Sequence, residues 1–319
     1  MTLNFDSIQI LNRSQQIYPV TNEVGQEETI GLLKTSPSTG GDTWVGVSCL
    51  FNFNGAAARK VKYIEVIDLG DQKIFWDPIT SIIRETEDYK VAAGRVRDFI
   101  GEKAGVFFKD RKYFEKALVT FSDEIKNNVS WLSDRESYQW IRQIILGDRF
   151  KYTQVDLRNT DQVKAFRQSL DHAGRKIDSF YESSVLSWVD EASLLPYYVN
   201  LETLLGKDNP YLIHSEIGQP LKQHVEKCDS KTIPKRILKS IQMAMDTIES
   251  EKLRLGTVQA DHQKIRFLLE NQIPHDQWST LLKKMDLCYR VGVYIDYSAL
   301  QIQKGVEPTQ FYNGLKALI

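Results

Sequence analysis

The spacing of the apolar residues changes at about residue 76, and this change constrains the fold more than any other feature of the sequence. Up to Trp76 the apolar residues form short runs, separated by turn-forming stretches such as residues 36–42. These runs are rich in β-branched and aromatic residues, which is typical of β-strands. From Asp77 onward the apolar residues recur every three or four positions, as on one face of an α-helix. The sequence therefore predicts an α+β fold.

We predict two domains from this change. Residues 1–76 are expected to form a mostly antiparallel β domain, with residues 69–72 at a hairpin turn, because a stretch long enough for a crossover helix is not evident there. Residues 77–319 are expected to form a predominantly α-helical bundle, with a further boundary near residues 147–160. Asp77 and Pro78 suit the start of its first helix, as the cap and the first helical residue. Apolar residues from Val163 to Phe180 follow a 3-4 spacing that predicts another helix packed against a neighbour.

Charge and cysteine content restrict the class of protein. The 41 basic and 42 acidic residues leave a net charge of −1, which excludes a generally basic nucleic-acid coat. The three cysteines, Cys49, Cys228 and Cys288, are few and far apart, as in proteins of a reducing compartment. No signal-peptide pattern is seen, and no run approaches the ~18 apolar residues of a transmembrane helix. We therefore expect a cytoplasmic protein without membrane insertion.

Local motifs for cofactors, metals and nucleophiles are not found in the sequence. It has no glycine-rich phosphate loop, no zinc-type histidine spacing and no Gly-x-Ser-x-Gly turn. His224 and Cys228, four residues apart on a predicted helix, are too few to form a zinc site. Cys49 lies in an apolar run and is interpreted as a buried thiol. We predict no metal and no cofactor.

Clustered carboxylates provide the main catalytic alternative, since metal-dependent nucleases hold Mg²⁺ with several acidic groups. Acidic residues are frequent between positions 65 and 77, and residues 124–126 have the acid-x-Lys order of some nucleases. The apolar period around Glu124 is helical rather than strand-like, which argues against that match. The candidate catalytic residues are Glu65, Asp68, Asp71, Glu124 and Lys126.

Mixed basic and aromatic segments indicate a surface for nucleic acid, because positive charge and stackable rings are what a nucleic-acid strand binds. Solvent-exposed helix faces have a similar composition, so the pattern alone does not separate the two interpretations. The candidate nucleic-acid-binding residues are Lys109, Arg111, Lys112, Tyr113, Lys116, Arg149, Lys151, Lys235 and Arg236.

The leading hypothesis is a non-catalytic intracellular component that binds DNA, RNA or a protein partner within a larger assembly. The first alternative is a metal-dependent nuclease or other hydrolase that requires Mg²⁺. The second alternative is a structural homo-oligomer, favoured by the paired helix spacings. Salt-dependent binding without turnover, Mg²⁺-dependent cleavage, and a solution mass well above 36.8 kDa are the respective observations that would distinguish them.

Overall fold

The computed structural model describes residues 17–107, 111–189, 193–215, 221–229, 232–233 and 236. Within these ranges, the side chains of residues 104–107, 111–114, 187–188 and 194–195 are not described. In chain order the elements are α1 (Gln26–Thr35), β1 (Thr43–Val47), α2 (Phe51–Arg59), β2 (Tyr63–Asp68), α3 (Lys73–Glu85), α4 (Tyr89–Phe107), α5 (Arg111–Lys126), α6 (Arg135–Leu146), β3 (Phe150–Gln154), α7 (Thr160–His172), β4 (Ile177–Ser183), a 3₁₀ turn (Val185–Trp188), α8 (Leu194–Leu205), β5 (Tyr211–Ser215) and β6 (Gln223–Lys227).

The strands form one six-stranded sheet in the order β3-β2-β1-β4-β5-β6. Strands β1 to β5 are parallel, and only β6 is antiparallel to its neighbour. Helices lie between the parallel strands along the chain. The protein is therefore α/β, and the predicted α+β fold, with a mostly antiparallel β region followed by a helical bundle, is wrong.

The prediction failed first at the helix that follows β1. The run from Trp44 to Phe53 is mostly apolar, which is typical of a strand. In the structure its second half starts α2, in which Phe51 to Ala57 are all buried. A helix buried on nearly every side shows no amphipathic period. This nine-residue helix connects β1 to the parallel strand β2, so a crossover helix does exist in this region.

Two further features were assigned to the wrong element. Residues 69–72 connect β2 to α3, not to the second strand of a hairpin, and Asp77 and Pro78 lie inside α3. The spacing from Val163 to Phe180 spans the end of α7 at His172 and then β4. Short apolar segments fit both the helical and the strand period, and strand pairing decides which element forms. Strands β3 to β6 all lie within the part expected to be helical.

The strand order reverses direction between β1 and β4. From β1 the chain moves outward to β2 and β3, and after α7 it returns to the other side of β1. With right-handed crossovers, the helices of the two halves cover opposite faces of the sheet. The carboxyl ends of β1 to β5 share one edge, and a crevice opens there at the reversal in such folds.

An aromatic cluster stabilises the side of the sheet that is covered by α2, α3 and α6. The Phe53 ring lies 5.3 Å from Trp76, 5.0 Å from Trp131 and 5.4 Å from Phe150, each with edge-on geometry. Phe53, Trp76 and Trp131 are almost completely buried. Aromatic pairs of this kind add about 0.5–1.5 kcal/mol each beyond their buried area. This cluster fixes α2 and α3, which flank the carboxyl edge.

The chain divides into two compact units, residues 1–188 with 203–228, and residues 189–202 with 229–319. The first contains the whole sheet. In the second, the rings of Tyr197 and Tyr198 lie 5.5 Å apart, and the Arg236 guanidinium lies 5.8 Å from the Tyr198 ring. Among the described residues, no helix is both long and apolar enough to cross a bilayer.

Candidate functional site

The two central strands, β1 and β4, both lead into a serine with left-handed backbone geometry. Ser48 follows β1 with φ 58°, and Ser183 ends β4 with φ 57°. Non-glycine residues rarely adopt this region, and such backbone strain often occurs at functional sites. Both serines are half-buried at the carboxyl edge, on the two sides of the reversal in strand order.

A buried amide holds the turn after β1 in place. The Asn52 side chain donates to the carbonyls of Val47 (3.2 Å), Ser48 (2.7 Å) and Cys49 (2.9 Å). Its own oxygen accepts from Trp44 Nε1 at 2.9 Å. Asn52 fits here because Gly46 has no side chain: a Cβ at Gly46 would lie 1.9 Å from the Asn52 oxygen. The turn is therefore preorganised before any ligand binds.

Asp68 ends β2 at the same edge, directly beside this turn. The Ser48 N–H donates to the Ile67 carbonyl at 3.2 Å, which joins the two strand ends. Burial raises the pKa of Asp68 to about 6, and hydrogen bonds from the Gly70 N–H and the Ser48 side chain partly oppose this rise. The Gly70 nitrogen lies 3.0 Å from Asp68 Oδ1. Asp68 is thus a half-buried carboxylate that ionises close to neutral pH.

A chain of hydrogen bonds orients Ser48 toward this carboxylate. Trp76 Nε1 donates to Gln72 Oε1 at 3.2 Å, and Gln72 Nε2 donates to Ser48 Oγ at 3.2 Å. Because Ser48 Oγ accepts one bond, its own proton is directed to Asp68. The Tyr152 hydroxyl accepts from the Gln72 N–H at 2.8 Å and donates to the Gly70 carbonyl. These bonds fix the loop between β2 and α3.

The segment before α1, residues 17–25, runs along the carboxyl edge from the turn after β1 to the residues beside β6, and is called the strap below. Its Glu23 is 4% exposed and accepts hydrogen bonds from Tyr181 (2.8 Å), Ser183 (3.2 Å), Gln223 (2.7 Å) and Ser215. The strap also bonds to the backbone around β6 through Val24. Glu23 therefore joins the strap to the ends of β4 and β5 and to β6.

Three of the predicted catalytic residues, Glu65, Asp68 and Asp71, lie in different surroundings. Glu65 forms a buried ion pair with Arg175. It lies an odd number of positions from Asp68 on the same strand, so the two side chains face opposite sides of the sheet. Asp71 accepts a hydrogen bond from the Lys73 N–H at 2.9 Å, at the start of α3. Of these three acids, only Asp68 lies beside the turn after β1, where Ser48 donates to it.

Glu124 and Lys126 lie on α5. Glu124 is buried and accepts a hydrogen bond of 3.2 Å from Asn54, whereas Lys126 is exposed at the end of the helix. Burial raises the pKa of Glu124 to about 7. In the described part of the chain, no group of three or more acidic, histidine or cysteine side chains has the geometry to hold a metal ion. The nuclease hypothesis is left without a preformed metal site among these residues.

His224 and Cys228 are not on a helix, as the sequence suggested: His224 lies in β6, and Cys228 follows that strand. The ring of His224 stacks on that of His214, across the β5–β6 pair, with centroids 5.9 Å apart. His214 Nε2 lies 3.3 Å from a carboxylate oxygen of Glu226.

The predicted nucleic-acid-binding residues are spread over several elements. Lys116 is exposed on α5 and Lys151 on β3, while Arg149 is half-buried and donates to the Gln143 carbonyl at 3.0 Å. Arg236 is half-buried beside Tyr198. Arg111, Lys112 and Tyr113 lie on α5, but their side chains are outside the described part, as are residues Lys109 and Lys235.

Sequence reasoning missed Ser48, Gln72, Asn52 and Glu23 as members of one site. One signal was present: the acidic residue Asp68 lies 22 positions after Gly46, which is the glycine of an apolar run. In doubly wound folds an acid about 20 residues after the first glycines binds ribose. That signal has meaning only in a parallel sheet, which was not predicted.

The comparisons with known proteins give a family but no activity. No curated protein matches the sequence. The matched part of the chain includes the whole sheet and the carboxyl edge described above. The chain belongs to the family described as Domain of unknown function (DUF7790), whose profile matches residues 18–231.

Proposed function

We propose that this protein binds a ligand containing a ribonucleoside at the carboxyl edge of the sheet, with the Asp68 carboxylate accepting hydrogen bonds from the ribose hydroxyls. One observation carries the proposal: a half-buried carboxylate ends β2 beside the reversal in strand order. In open α/β sheets ligands bind in this crevice, and an acid at this position contacts the ribose.

The hydrogen-bonding capacity of Asp68 supports this role. A ribose presents two adjacent O–H donors, and an ionised carboxylate has about four lone-pair positions. The Gly70 N–H, the Ser48 hydroxyl and the Leu69 N–H use part of this capacity. The bonds from Trp76 through Gln72 to Ser48 hold the carboxylate's neighbours in position before the ligand arrives. Such preorganisation reduces the entropy lost on binding.

The test compares ribonucleosides with their 2′,3′-dideoxy forms by isothermal titration calorimetry at pH 7.5. We expect at least one of adenosine, guanosine, cytidine and uridine to bind, and its dideoxy form to bind at least about tenfold more weakly, since the carboxylate loses its charged hydrogen bonds. The ligand panel also includes NAD⁺ and S-adenosylmethionine, which contain the same diol. If none of these ligands binds, the proposal is contradicted.

The matched variants are Asp68→Asn and Asp77→Asn. Asp77 is an exposed acid on α3, nine residues from Asp68, so its substitution changes the net charge equally. Asp68→Asn is expected to weaken binding by about tenfold or more, because an amide accepts weaker hydrogen bonds from the diol than a carboxylate. Equal affinity of the two variants would refute the role of Asp68.

The sequence-based hypotheses of DNA, RNA or protein binding, of homo-oligomerisation and of a cytoplasmic location stay predictions. Exposed Lys116 and Lys151 are available to a nucleic acid. Anisotropy of fluorescent oligonucleotides at several salt concentrations, with and without Mg²⁺, tests this binding and the nuclease alternative together. Loss of binding in the double variant Lys116→Glu/Lys151→Glu would support nucleic-acid binding by these lysines. Absence of binding by the wild type at ~50 mM salt would contradict it.

A further inference from the structure

The turn between β1 and α2 has most of its N–H groups already engaged. In nucleotide-binding proteins of this topology, N–H groups at the start of the first helix bind the phosphates. Here the Ser48 N–H donates to the Ile67 carbonyl at 3.2 Å. The Leu50 N–H donates at 2.9 Å to the Pro19 carbonyl of the strap. The strap thus supplies its own acceptor where a phosphate oxygen would otherwise bind.

The first turn of α2 is engaged as well. The Asn52 N–H donates to the Cys49 carbonyl at 3.2 Å, and the Phe53 N–H donates to the Leu50 carbonyl at 2.9 Å. The Phe51 N–H interacts with the Cys49 sulfur. From Ser48 to Phe53, only the Cys49 N–H has no acceptor among the described residues. One donor is insufficient for a phosphate group, which has three acceptor oxygens.

The local charge also disfavours a phosphate. Glu23 and Asp68 flank the turn, and no ion pair within the described ranges includes either of them. The pKa of the Cys49 thiol is raised, mainly by burial and further by the negative charge of Glu23 and Glu124. The turn is therefore flanked by two carboxylates without a cationic partner among the described ion pairs, and these oppose the binding of an anion.

We infer that the ligand of this site is a nucleoside without a 5′-phosphate or diphosphate, carrying an uncharged or cationic group at that position. This inference rests on the proposed function, because it assumes that the ribose lies on Asp68. The ribose then places its 5′ substituent close to the turn after β1, where donors are occupied and the nearby carboxylates are not neutralised. A nucleotide with a pyrophosphate, such as NAD⁺, is disfavoured for the same reason.

The experiment measures the affinities of adenosine, AMP, ADP and NAD⁺ for the full chain by calorimetry, with guanosine, cytidine and uridine and their monophosphates in parallel. For the nucleoside that binds, we expect the 5′-monophosphate to bind at least about tenfold more weakly, since like charges brought together in a binding site oppose association. A monophosphate that binds as tightly as its nucleoside overturns this inference alone. Failure of every ligand to bind overturns the proposed function, and this inference with it.

Glu23→Gln tests the charge argument, and Glu27→Gln is its matched control. Glu27 is an exposed acid on α1, four residues away, so both variants change the net charge equally. We expect the preference for nucleoside over monophosphate to fall in Glu23→Gln and to be unchanged in Glu27→Gln. An unchanged preference in a folded Glu23→Gln protein contradicts the inference. If that variant does not fold, raising the NaCl concentration in the wild type serves instead: repulsion is screened, so the preference must decrease.

Discussion

The Tyr181 hydroxyl donates a 2.8 Å hydrogen bond to the buried Glu23 carboxylate and so joins the strap to the central strand β4. Glu23 has no cationic partner among the described ion pairs, so hydrogen bonds alone compensate the loss of its hydration. Buried carboxylates are costly unless they are hydrogen-bonded. The strap is therefore held by a polar contact whose loss can be measured.

Tyr181→Phe is expected to destabilise the protein by about 1–3 kcal/mol, because it leaves a buried carboxylate oxygen with one donor fewer. Urea unfolding followed by tryptophan fluorescence measures the change. Tyr63→Phe is the control. It retains the ring beneath the Arg175 guanidinium, 4.3 Å away, and Tyr63 is the first residue of β2, at the end of the strand away from the carboxyl edge. Equal stability of the two variants would show that the Glu23 contact contributes nothing.

Gly46→Ala is expected to destabilise the fold by about 1–3 kcal/mol, as overpacking in a core does. The added Cβ would lie 1.9 Å from Asn52 Oδ1 and 2.9 Å from Tyr181 Cβ, so the amide that holds the turn must move. Gly31→Ala is the matched control. A Cβ at Gly31 meets nothing within 4 Å on α1. That control should gain up to about 1 kcal/mol from helix propensity. A neutral Gly46→Ala would show that Asn52 tolerates displacement.

Glu124→Gln is expected to change how stability depends on pH. Burial raises the pKa of Glu124 from 4.5 to about 7. A raised pKa means that the folded state favours the protonated form, so this contribution to stability is complete below pH 4.5 and is lost as the pH rises through about 7. The amide is always neutral and still accepts from Asn54. The variant should therefore be more stable than the wild type at pH 8 and should differ less at pH 4.5.

Urea midpoints at pH 4.5, 6 and 8 measure this difference, with Asp123→Asn as the control. Asp123 is the exposed neighbour of Glu124 on α5. Its variant should follow the wild-type curve at all three values. A Glu124→Gln curve parallel to that of the wild type from pH 4.5 to 8 would show that Glu124 does not titrate in this range.

Arg59→Lys is expected to destabilise the protein by about 2–4 kcal/mol. Arg59 makes two hydrogen bonds to the Asp178 carboxylate, at 2.8 and 2.9 Å, and it also donates to the carbonyls of Leu33 and Ser36. Lysine cannot reproduce this fork, and breaking a buried pair leaves its partner poorly compensated. The loss should be measurable by urea unfolding at pH 7. Lys60→Arg, which changes an exposed ion pair with Glu136, is the control and should be neutral.

Acid unfolding gives a second measurement on the ion pair of Arg59 and Asp178. Burial would raise the pKa of Asp178, but hydrogen bonds from Arg59, Ser179 and Thr39 outweigh it and keep the pKa below 3.8. This stabilisation is present above pH 3.8 and is lost as the pH falls through the lower, folded-state pKa. Arg59→Lys should therefore begin to unfold at a higher pH than the wild type on acid titration.

Local chemistry alone was enough for several elements. Residues 133–136 have the order of a capping box, Ser-x-x-Glu, which predicts a helix start there. The helix forms, although Asp134 rather than Ser133 is the cap of α6, accepting from the Ser137 N–H at 2.8 Å. The stripe of Tyr138, Ile141 and Ile145 is buried as its period requires. The interpretation of Cys49 as a buried thiol is also confirmed. These features depend on residues within about one helical turn of each other, so the sequence contains all the information they need.

The fold class and the candidate site were decided only by tertiary structure. Whether β1 pairs with β2 in parallel depends on α2 packing against the sheet, and a fully buried helix leaves no period in the sequence. Asp68 and Ser48 become neighbours only through that pairing, and Glu23 reaches Tyr181 across 158 positions. The sequence therefore determined the residue types and the local caps. Strand pairing, which no local pattern encodes, brought Ser48, Asp68 and Glu23 to one edge of the sheet.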